Sequence, residues 1–251
     1  MPPKLLTRGL LAGAVVVAGE MAYVARRPLP RFDGFDPSGA FGDPDAPLLR
    51  IAVLGDSTIT GPGLGSVDET FVRILARRLA ERYRVQLTSQ AVGGARSFDV
   101  LTLQLPEALA DRPHLAFVSV GSNDILHGIP IPWFERRLDE IVRRLVESGV
   151  AVVLMGIGDL GTIPRFPAPL DRVASATGRI ADRVQARVGE RHGVAKVDHW
   201  GASADVFRSG THMFAGDLFH PSAEGHRVWA DTVYPFIEQA LAGTSLRPTI
   251  D

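Results

Sequence analysis

The most constraining feature of the sequence is an alternation of short, Val-rich apolar runs with longer segments of helical periodicity. The apolar runs of strand length lie at 50–54, 85–92, 115–120, 150–157 and 194–198. The segments whose apolar residues recur at helical spacing lie at 70–83, 98–110, 133–148, 171–191 and 222–241. Strands that alternate with helices pair in parallel and are covered by helices on both faces. The pattern therefore predicts an α/β fold, a three-layer α/β/α sandwich with a five-stranded parallel sheet.

The N-terminal segment 1–26 has the features of an export sequence. Lys4 and Arg8 precede an apolar run at 9–19, and the small residues at 17–19 form an acceptable cleavage site. We therefore expect a signal peptide or a membrane anchor, and a protein that is exported, secreted or tethered in the cell envelope. Two alternatives remain open here: an uncleaved anchor, and an amphipathic helix that packs on the folded domain.

The rest of the chain is predicted to contain one folded domain. The segment 27–47 is rich in Pro, Gly and Asp, as is typical of a linker. A single domain is expected over 48–245, followed by a C-terminal tail at 246–251, because 251 residues with 45% hydrophobic content suffice for one core. No internal repeat is visible.

Composition excludes several kinds of chemistry. The 27 basic and 28 acidic residues nearly cancel and form no basic stripe, so nucleic acid is not an expected partner. The chain has no cysteine, which excludes disulfides, thiolate nucleophiles and cysteine-ligated zinc. No His-x-His or His-Glu-x-x-His spacing is present, so a metal is not expected. A nucleophile in this protein is therefore an oxygen or a nitrogen.

Four short motifs follow the predicted strands or precede the last helix. They are Gly-Asp-Ser at 55–57, Val-Gly-Gly-Ala-Arg-Ser at 92–97, Gly-Ser-Asn-Asp at 121–124 and Asp-Leu-Phe-His-Pro at 217–221. The carboxyl ends of parallel strands share one edge of a sheet, and ligands bind there in open α/β sheets. We therefore expect the four motifs to meet at one site.

The residue types in these motifs suit nucleophilic catalysis. A serine hydroxyl is a weak nucleophile near pH 7 and needs an adjacent base, for which histidine is the usual choice. His220 has Asp217 three residues before it in a loop bounded by Pro221, so that one ring nitrogen faces the acid while the other faces Ser57. The residues alone therefore indicate acyl transfer.

The order and spacing of the four motifs resemble those of the SGNH, or GDSL, hydrolase family. This resemblance implies a flavodoxin-like fold and a serine esterase or acylhydrolase that needs no cofactor. It further implies that Ser57 is the nucleophile, that His220 is the base oriented by Asp217, and that Asn123 and Gly94 join the Ser57 N–H in the oxyanion hole. Gly93 stays open as an alternative to Gly94. Thr58 occupies the position that gives the family name its leucine.

The expected substrate is a small-molecule, lipid or glycan acyl ester. The alternatives are a carbohydrate O-deacetylase or an acyltransferase on envelope glycans or lipids, and, from another class, a catalytically idle envelope-binding protein. Intact Ser57, Asn123, Asp217 and His220 argue against the idle protein. The loops expected to form the acyl pocket are 58–69, 125–133, 158–170 and 200–216.

Other polar residues near the motifs are expected to be structural. Asp56 and Asp124 are predicted to hold loop backbone rather than to move protons. His226 lies inside the last predicted helix and His199 follows a predicted strand, so both are expected to be satisfied structural or surface residues.

Overall fold

A computed structural model describes residues 3–26 and 30–243, and within them six strands form one sheet. The strands are β1 (Gly39–Phe41), β2 (Leu48–Gly55), β3 (Arg84–Ser89), β4 (Leu115–Ser119), β5 (Ala151–Leu154) and β6 (Ala195–Lys196). Their order across the sheet is β1-β3-β2-β4-β5-β6. Strands β2 to β6 pair in parallel, and β1 pairs antiparallel with β3.

Helices connect the strands and cover both faces of the sheet. They are α1 (Pro3–Arg26), α2 (Ser57–Thr60), α3 (Phe71–Leu79), α4 (Ser97–Asp99), α5 (Leu105–Ala110), α6 (Ser122–Leu126), α7 (Ile131–Glu147), α8 (Leu170–His192), α9 (His199–Ala202), α10 (Ala204–Arg208) and α11 (Ala223–Ala242). A π-helical turn, Val100–Gln104, joins α4 to α5. Short 3₁₀ turns occur at Val67–Glu69, Leu160–Thr162 and Thr211–Met213.

The α/β prediction is confirmed, but the prediction of five strands is wrong by one. In the described residues the sheet has a sixth strand, β1, which lies inside the segment 27–47 that was assigned to a linker. It pairs Gly39 with Leu87 and Phe41 with Val85 at the open edge of β3. Three residues are too few to show a strand period, and Gly39 lies among Pro, Gly and Asp, so the pattern gave no signal.

Burial on both faces of β2 explains its almost continuous apolar sequence. Ala52 and Leu54 pack into a core under α5, α7 and α8, whereas Ile51 and Val53 pack into a second core under α3 and α11. Successive side chains of a strand point to opposite faces, so one strand supplies both cores. The sheet is thereby the middle layer of a three-layer sandwich, and its carboxyl edge is free to form a site.

The predicted long helices correspond to observed helices, with shifts at their ends. The segment predicted at 98–110 is helical throughout, and its middle part is the π-helical turn between α4 and α5. The loops predicted at 58–69, 125–133, 158–170 and 200–216 contain short helical turns, because local caps close them. Asp159, for example, accepts a hydrogen bond from the N–H of Gly161 at 3.0 Å.

Helix α1 lies against the start of α8. Glu20 Oε2 accepts a hydrogen bond from the N–H of Leu170 at 3.0 Å, and Arg165 donates to the Val24 carbonyl at 3.3 Å. None of the helices in the described ranges is long and apolar enough to cross a membrane. The predicted tail at 246–251 lies outside the described residues.

Candidate active site

Ser57 lies at the carboxyl edge of the sheet, on the first turn after β2. A Cβ on Gly55 would approach the Ser119 carbonyl oxygen to 2.3 Å, so only glycine lets the end of β2 pass this close to β4. Asp56 then caps α2, and its Oδ1 accepts a hydrogen bond from the N–H of Thr58 at 2.9 Å. This strand-to-helix turn holds the Ser57 side chain at the mouth of the site.

The buried side-chain amide of Gln104, which the sequence does not predict as a site residue, binds the backbone of Gly55 at the end of β2. Gln104 Oε1 accepts a hydrogen bond from the Gly55 N–H at 2.7 Å, and Gln104 Nε2 donates to the Gly55 carbonyl at 2.9 Å. Gln104 closes the π-helical turn Val100–Gln104 and is 4% exposed. The sequence shows only a glutamine in a predicted helix, and its partner, 49 residues away, leaves no local signal.

His220 and Asp217 form a hydrogen-bonded pair in a tight loop before α11. His220 Nδ1 lies 2.6 Å from Asp217 Oδ2, while Asp217 Oδ1 accepts hydrogen bonds from the N–H groups of Phe219 and His220, both at 3.0 Å. Leu218 has a φ of 56°, which turns the chain within the loop. The carboxylate therefore binds the imidazole and the backbone that carries it.

The environment of Asp217 keeps it ionised. Burial alone would raise its pKa, but the hydrogen bonds from the His220 side chain and from the backbone N–H groups of His220 and Phe219 outweigh this effect and hold the pKa below its ordinary value. An anionic Asp217 at Nδ1 leaves the second ring nitrogen of His220 as the one that can exchange a proton. No hydrogen bond joins Ser57 to His220 within the described residues; such contacts are often long until a substrate is bound.

Asn123 lies on α6 and lines the same cavity as Ser57. Its Nδ2 donates to Asp56 Oδ2 at 2.9 Å and to the Ala95 carbonyl at 3.2 Å. Asp56 is 2% exposed, and burial raises its pKa above the ordinary value, against the opposing hydrogen bonds from Thr58 and Asn123. Asp56 thus holds loop backbone as predicted, and it also binds the amide of Asn123, which the sequence did not suggest.

The turn at Gly93 and Gly94 follows β3. The Val92 N–H donates to the Gly55 carbonyl at 3.1 Å, and the Ala95 N–H donates to the Val92 carbonyl at 3.0 Å. Gly94 has a φ of 81°, a conformation that side chains disfavour. In this turn as described, neither glycine N–H has a hydrogen-bond partner. Gly93, Gly94 and Ser57 line a common groove on the protein surface.

Asp124 ties two of the predicted motifs together. It is 1% exposed, and its carboxylate accepts hydrogen bonds from the Ser97 N–H at 2.9 Å and from Ser97 Oγ at 2.5 Å. The loop after β4 is thereby fixed to the start of α4. Asp124 is a structural residue, as predicted.

Two histidines predicted to be structural are buried near the site. His226 accepts a hydrogen bond from the Phe71 N–H at 3.1 Å, and burial lowers its pKa to about 3. His199 lies 3.1 Å from Ser203 Oγ, and burial likewise lowers its pKa to about 3. His199 lines the cavity at Ser57, a placement that the sequence did not indicate.

Ser57, Asn123 and His220 line a common, mostly apolar cavity of about 110 Å³, whereas Asp217 and Gly94 are not part of its lining. Its walls are apolar side chains, among them Leu160, Ile163, Phe207, Phe214 and Trp229. The described residues include no group of three or more His, Asp or Glu side chains that could hold a metal ion. The arrangement can bind an apolar group beside a serine and a His–Asp pair.

A parallel sheet with a serine and a His–Asp pair at its carboxyl edge resembles the architecture of serine hydrolases. The family model of the GDSL-like lipase/acylhydrolase family matches residues 53–228. This chain belongs to that family.

Known relatives agree with this assignment. A GDSL-like esterase of Mycobacterium tuberculosis is 31% identical over 245 residues, which covers 93% of this chain and 77% of that protein. The crystal structure of TesA matches with a TM-score of 0.63 and 24% identity, covering 76% of this chain and 99% of TesA. A mutant of Axe2, an acetyl-xylooligosaccharide esterase from Geobacillus, matches with a TM-score of 0.61 and 19% identity, over 76% of this chain and 95% of Axe2. The two structural matches show the fold, and the family and the mycobacterial relative support an ester hydrolase.

Proposed function

We propose that this protein is a serine esterase that hydrolyses carboxylic acyl esters through an acyl-enzyme. The observation that carries the proposal is the 2.6 Å contact between His220 Nδ1 and Asp217 Oδ2, in a loop that lines the same cavity as Ser57. A carboxylate at Nδ1 orients the imidazole and stabilises the imidazolium that forms when Nε2 takes the serine proton. An idle binding protein has no need of this pair.

The proposed reaction has two steps, acylation of Ser57 and hydrolysis of the acyl-enzyme. Ser57 Oγ bonds to the acyl carbon while its proton passes to His220 Nε2, and the tetrahedral oxyanion receives hydrogen bonds from the N–H groups of Ser57 and Gly94 and from the Asn123 amide. The bond to the alcohol oxygen then breaks, and His220 returns the proton to that oxygen. Water repeats the sequence on the acyl-enzyme and releases the carboxylic acid and free Ser57.

The hydrogen bonds of Asn123 suggest how its amide takes part. The Asn123 amide nitrogen donates to two acceptors, Asp56 Oδ2 at 2.9 Å and the Ala95 carbonyl at 3.2 Å. The longer bond goes to a neutral acceptor, which a developing oxyanion outcompetes. In this mechanism Asn123 keeps its bond to Asp56 and shares the other hydrogen with the oxyanion.

The test is the substitution Ser57→Ala, with p-nitrophenyl acetate turnover and labelling by a fluorophosphonate as readouts. We expect both to be lost with little change in melting temperature. Ser122→Ala is the matched control, since Ser122 lines the same cavity, and it should keep both. Turnover at the wild-type rate in the Ser57→Ala variant contradicts the proposal.

The N-terminal segment leads to a separate proposal on location. Its basic residues followed by an apolar run support export or tethering in the cell envelope. Fractionation of cells that express the full chain should find it outside the cytosol, and deletion of 1–26 should return it to the cytosol. Full-length protein with an intact N-terminus in the cytosolic fraction contradicts export.

A further inference from the structure

Two spaces of different shape meet at Ser57. The closed cavity is the apolar cavity of about 110 Å³ described above, which is the more enclosed of the two, and the open groove is a space of about 870 Å³ that also borders the serine and is more open to solvent. Ser57, Asn123, Phe219 and His220 line both. An ester bound with its carbonyl at Ser57 extends in two directions, so the acyl group and the alcohol occupy different spaces.

The closed cavity has rigid walls. Phe207 stacks on Trp229 with ring centroids 5.5 Å apart and meets Phe214 edge to face, also at 5.5 Å. Leu160 and Met155, which also line the cavity, are 7% and 2% exposed. A cavity of about 150 Å³ is known to hold a benzene ring, so this smaller space accepts an acyl chain of only a few carbons. Side chains buried to this degree cannot move aside without a loss of packing.

The open groove is formed in part by the segment 32–36. The N–H of Phe35 donates to the Thr60 carbonyl at 2.7 Å, which ties the segment to the helix that begins at Ser57. The Phe32 ring packs over Gly63 and Gly216 and is 41% exposed. Part of the segment that the sequence assigned to a linker therefore presents an aromatic face to the groove.

The charges of the open groove have one sign. Asp33 and Asp36 lie in its lining, and no lysine or arginine is among the described residues that line it. Asp36 binds Ser38 within its own loop, but its negative charge remains. A negatively charged alcohol is repelled from such a groove, whereas a neutral or positively charged one is not.

The order of events in an acyl transfer decides which part of the ester lies in which space. The alcohol leaves first, while the acyl group stays bonded to Ser57 until water arrives. The alcohol therefore needs a path to solvent, which the open groove provides. The acyl group needs only a space that holds it, which the closed cavity provides.

We infer that the natural substrates are short-chain acyl esters of bulky alcohols that carry no negative charge, with the acyl group in the closed cavity and the alcohol against Phe32 in the open groove. This inference rests on the proposed esterase function. It makes Phe32 a residue that determines specificity for the alcohol and Phe207 one that limits the acyl length.

The first test varies the acyl chain. With p-nitrophenyl esters of two to eight carbons, kcat/KM is expected to be highest at two to four carbons and to fall by about tenfold or more at eight, because a hydrophobic pocket discriminates strongly against added methylenes that it cannot accommodate. Phe207→Ala, or the milder Phe207→Leu if the first variant unfolds, should move the optimum to longer chains. A profile that stays flat or rises to eight carbons overturns the inference.

The second test varies the alcohol. Phe32→Ala should lower kcat/KM severalfold for 1-naphthyl acetate and leave ethyl acetate unchanged. Phe98→Ala is the matched control, since Phe98 is 51% exposed but lines neither space, and it should change neither rate. Equal losses on both acetates, or the same loss in the control, overturn the role of Phe32.

The third test varies the charge. The 4-acetoxybenzoate anion should react more slowly than its neutral methyl ester, and Asp33→Asn or added salt should narrow the difference. A faster reaction of the anion overturns the exclusion of negatively charged alcohols. In all three tests the rate must depend on Ser57: activity that survives Ser57→Ala contradicts the esterase mechanism itself, whereas a Ser57-dependent rate with the wrong profile contradicts only the assignment of the two spaces.

Discussion

The two sides of Ser57 are built from contacts of different range. On the histidine side, which consists of His220 and Asp217, the partners are three residues apart in one loop. On the amide side, which consists of Asn123 and Asp56, the partners are 67 residues apart and are brought together by the sheet. The histidine side therefore depends on one turn, whereas the amide side depends on the whole fold. This difference determines which part of the site a sequence can reveal, and how each part responds to substitution.

The largest expected effect is on the histidine side. Asp217→Asn removes the anion at His220 Nδ1 and permits the wrong tautomer of the ring, so kcat should fall by about 10³- to 10⁴-fold. Steady-state kinetics on p-nitrophenyl acetate measures this. Asp205→Asn is the matched control, because Asp205 has a 98% exposed side chain and lies away from the site lining, and it should retain the wild-type kcat. A loss of less than tenfold in Asp217→Asn would show that the pair does not orient the base.

A smaller effect is expected on the amide side. Asn123→Ala removes one of three proposed oxyanion donors, so kcat should fall by about 10²- to 10³-fold while KM changes little, since the contact forms mainly in the transition state. Thermal unfolding measured in parallel separates catalysis from folding. If the variant melts several degrees lower but keeps the wild-type kcat, Asn123 is a structural residue of the turn after β4.

The same difference in range explains what the sequence could reveal. The Asp217 and His220 pair was predicted because its spacing and the following Pro221 are visible in one short motif. The partner of Asn123 was not predicted: Asp56 was assigned to the backbone of its own loop, which is the part of its role that local sequence determines. The two hydrogen bonds between the Gln104 side chain and the Gly55 backbone were not predicted for the same reason, because a glutamine within a helical pattern does not indicate which strand it contacts.

Prediction of the fold from the sequence is limited in the same way, by contacts between residues that are far apart in the chain. The central parallel strands β2, β4 and β5 could be predicted because burial on both faces makes each of them an apolar run, whereas β3 alternates exposed and buried residues and β6 has only two half-buried residues. Strand β1 lies at the edge, pairs on one side only and has three residues, so neither its length nor its composition distinguishes it from a loop. Its neighbour, the segment 32–36, enters the open groove through contacts with Thr60 and Gly63 that no local pattern encodes.

Removing the hydrogen bonds of Gln104 to Gly55 tests how far the amide side depends on long-range contacts of the fold. Gln104→Met keeps the volume of the side chain but leaves the buried Gly55 N–H without its acceptor, which costs about 1 to 3 kcal/mol and lowers the melting temperature by about 2 to 10 °C. The Gly55 carbonyl keeps the hydrogen bond from Val92. Gln185→Met is the comparison, since buried Gln185 makes a single hydrogen bond to backbone, from its Nε2 to the Val120 carbonyl. Its melting temperature should fall less than that of Gln104→Met. Equal falls would mean that the two hydrogen bonds of Gln104 to Gly55 add nothing specific to β2.

The smallest effect separates the two sides by pH, because their buried carboxylates have opposite pKa shifts. The pKa of Asp217 lies below the ordinary 3.8, since hydrogen bonds from His220 and Phe219 outweigh the effect of burial. Its ionised form therefore stabilises the folded state above pH 3.8, and this contribution is lost as the pH falls from 3.8 through the lowered pKa. The pKa of Asp56 lies above 3.8 because of burial. Ionising it costs stability, and the cost develops as the pH rises from 3.8 through the raised pKa.

Melting temperatures of the wild type, Asp217→Asn and Asp56→Asn between pH 3 and pH 8 test these signs. An asparagine does not titrate, so any hydrogen bond it gains or loses shifts the whole curve, and only the pH dependence of the difference reports the carboxylate. The wild type minus Asp217→Asn difference should rise with pH, mostly below pH 3.8. The wild type minus Asp56→Asn difference should fall with pH, mostly above pH 3.8. If both differences rise with pH, Asp56 is held by its hydrogen bonds as Asp217 is, and the contrast between the two sides does not extend to their electrostatics.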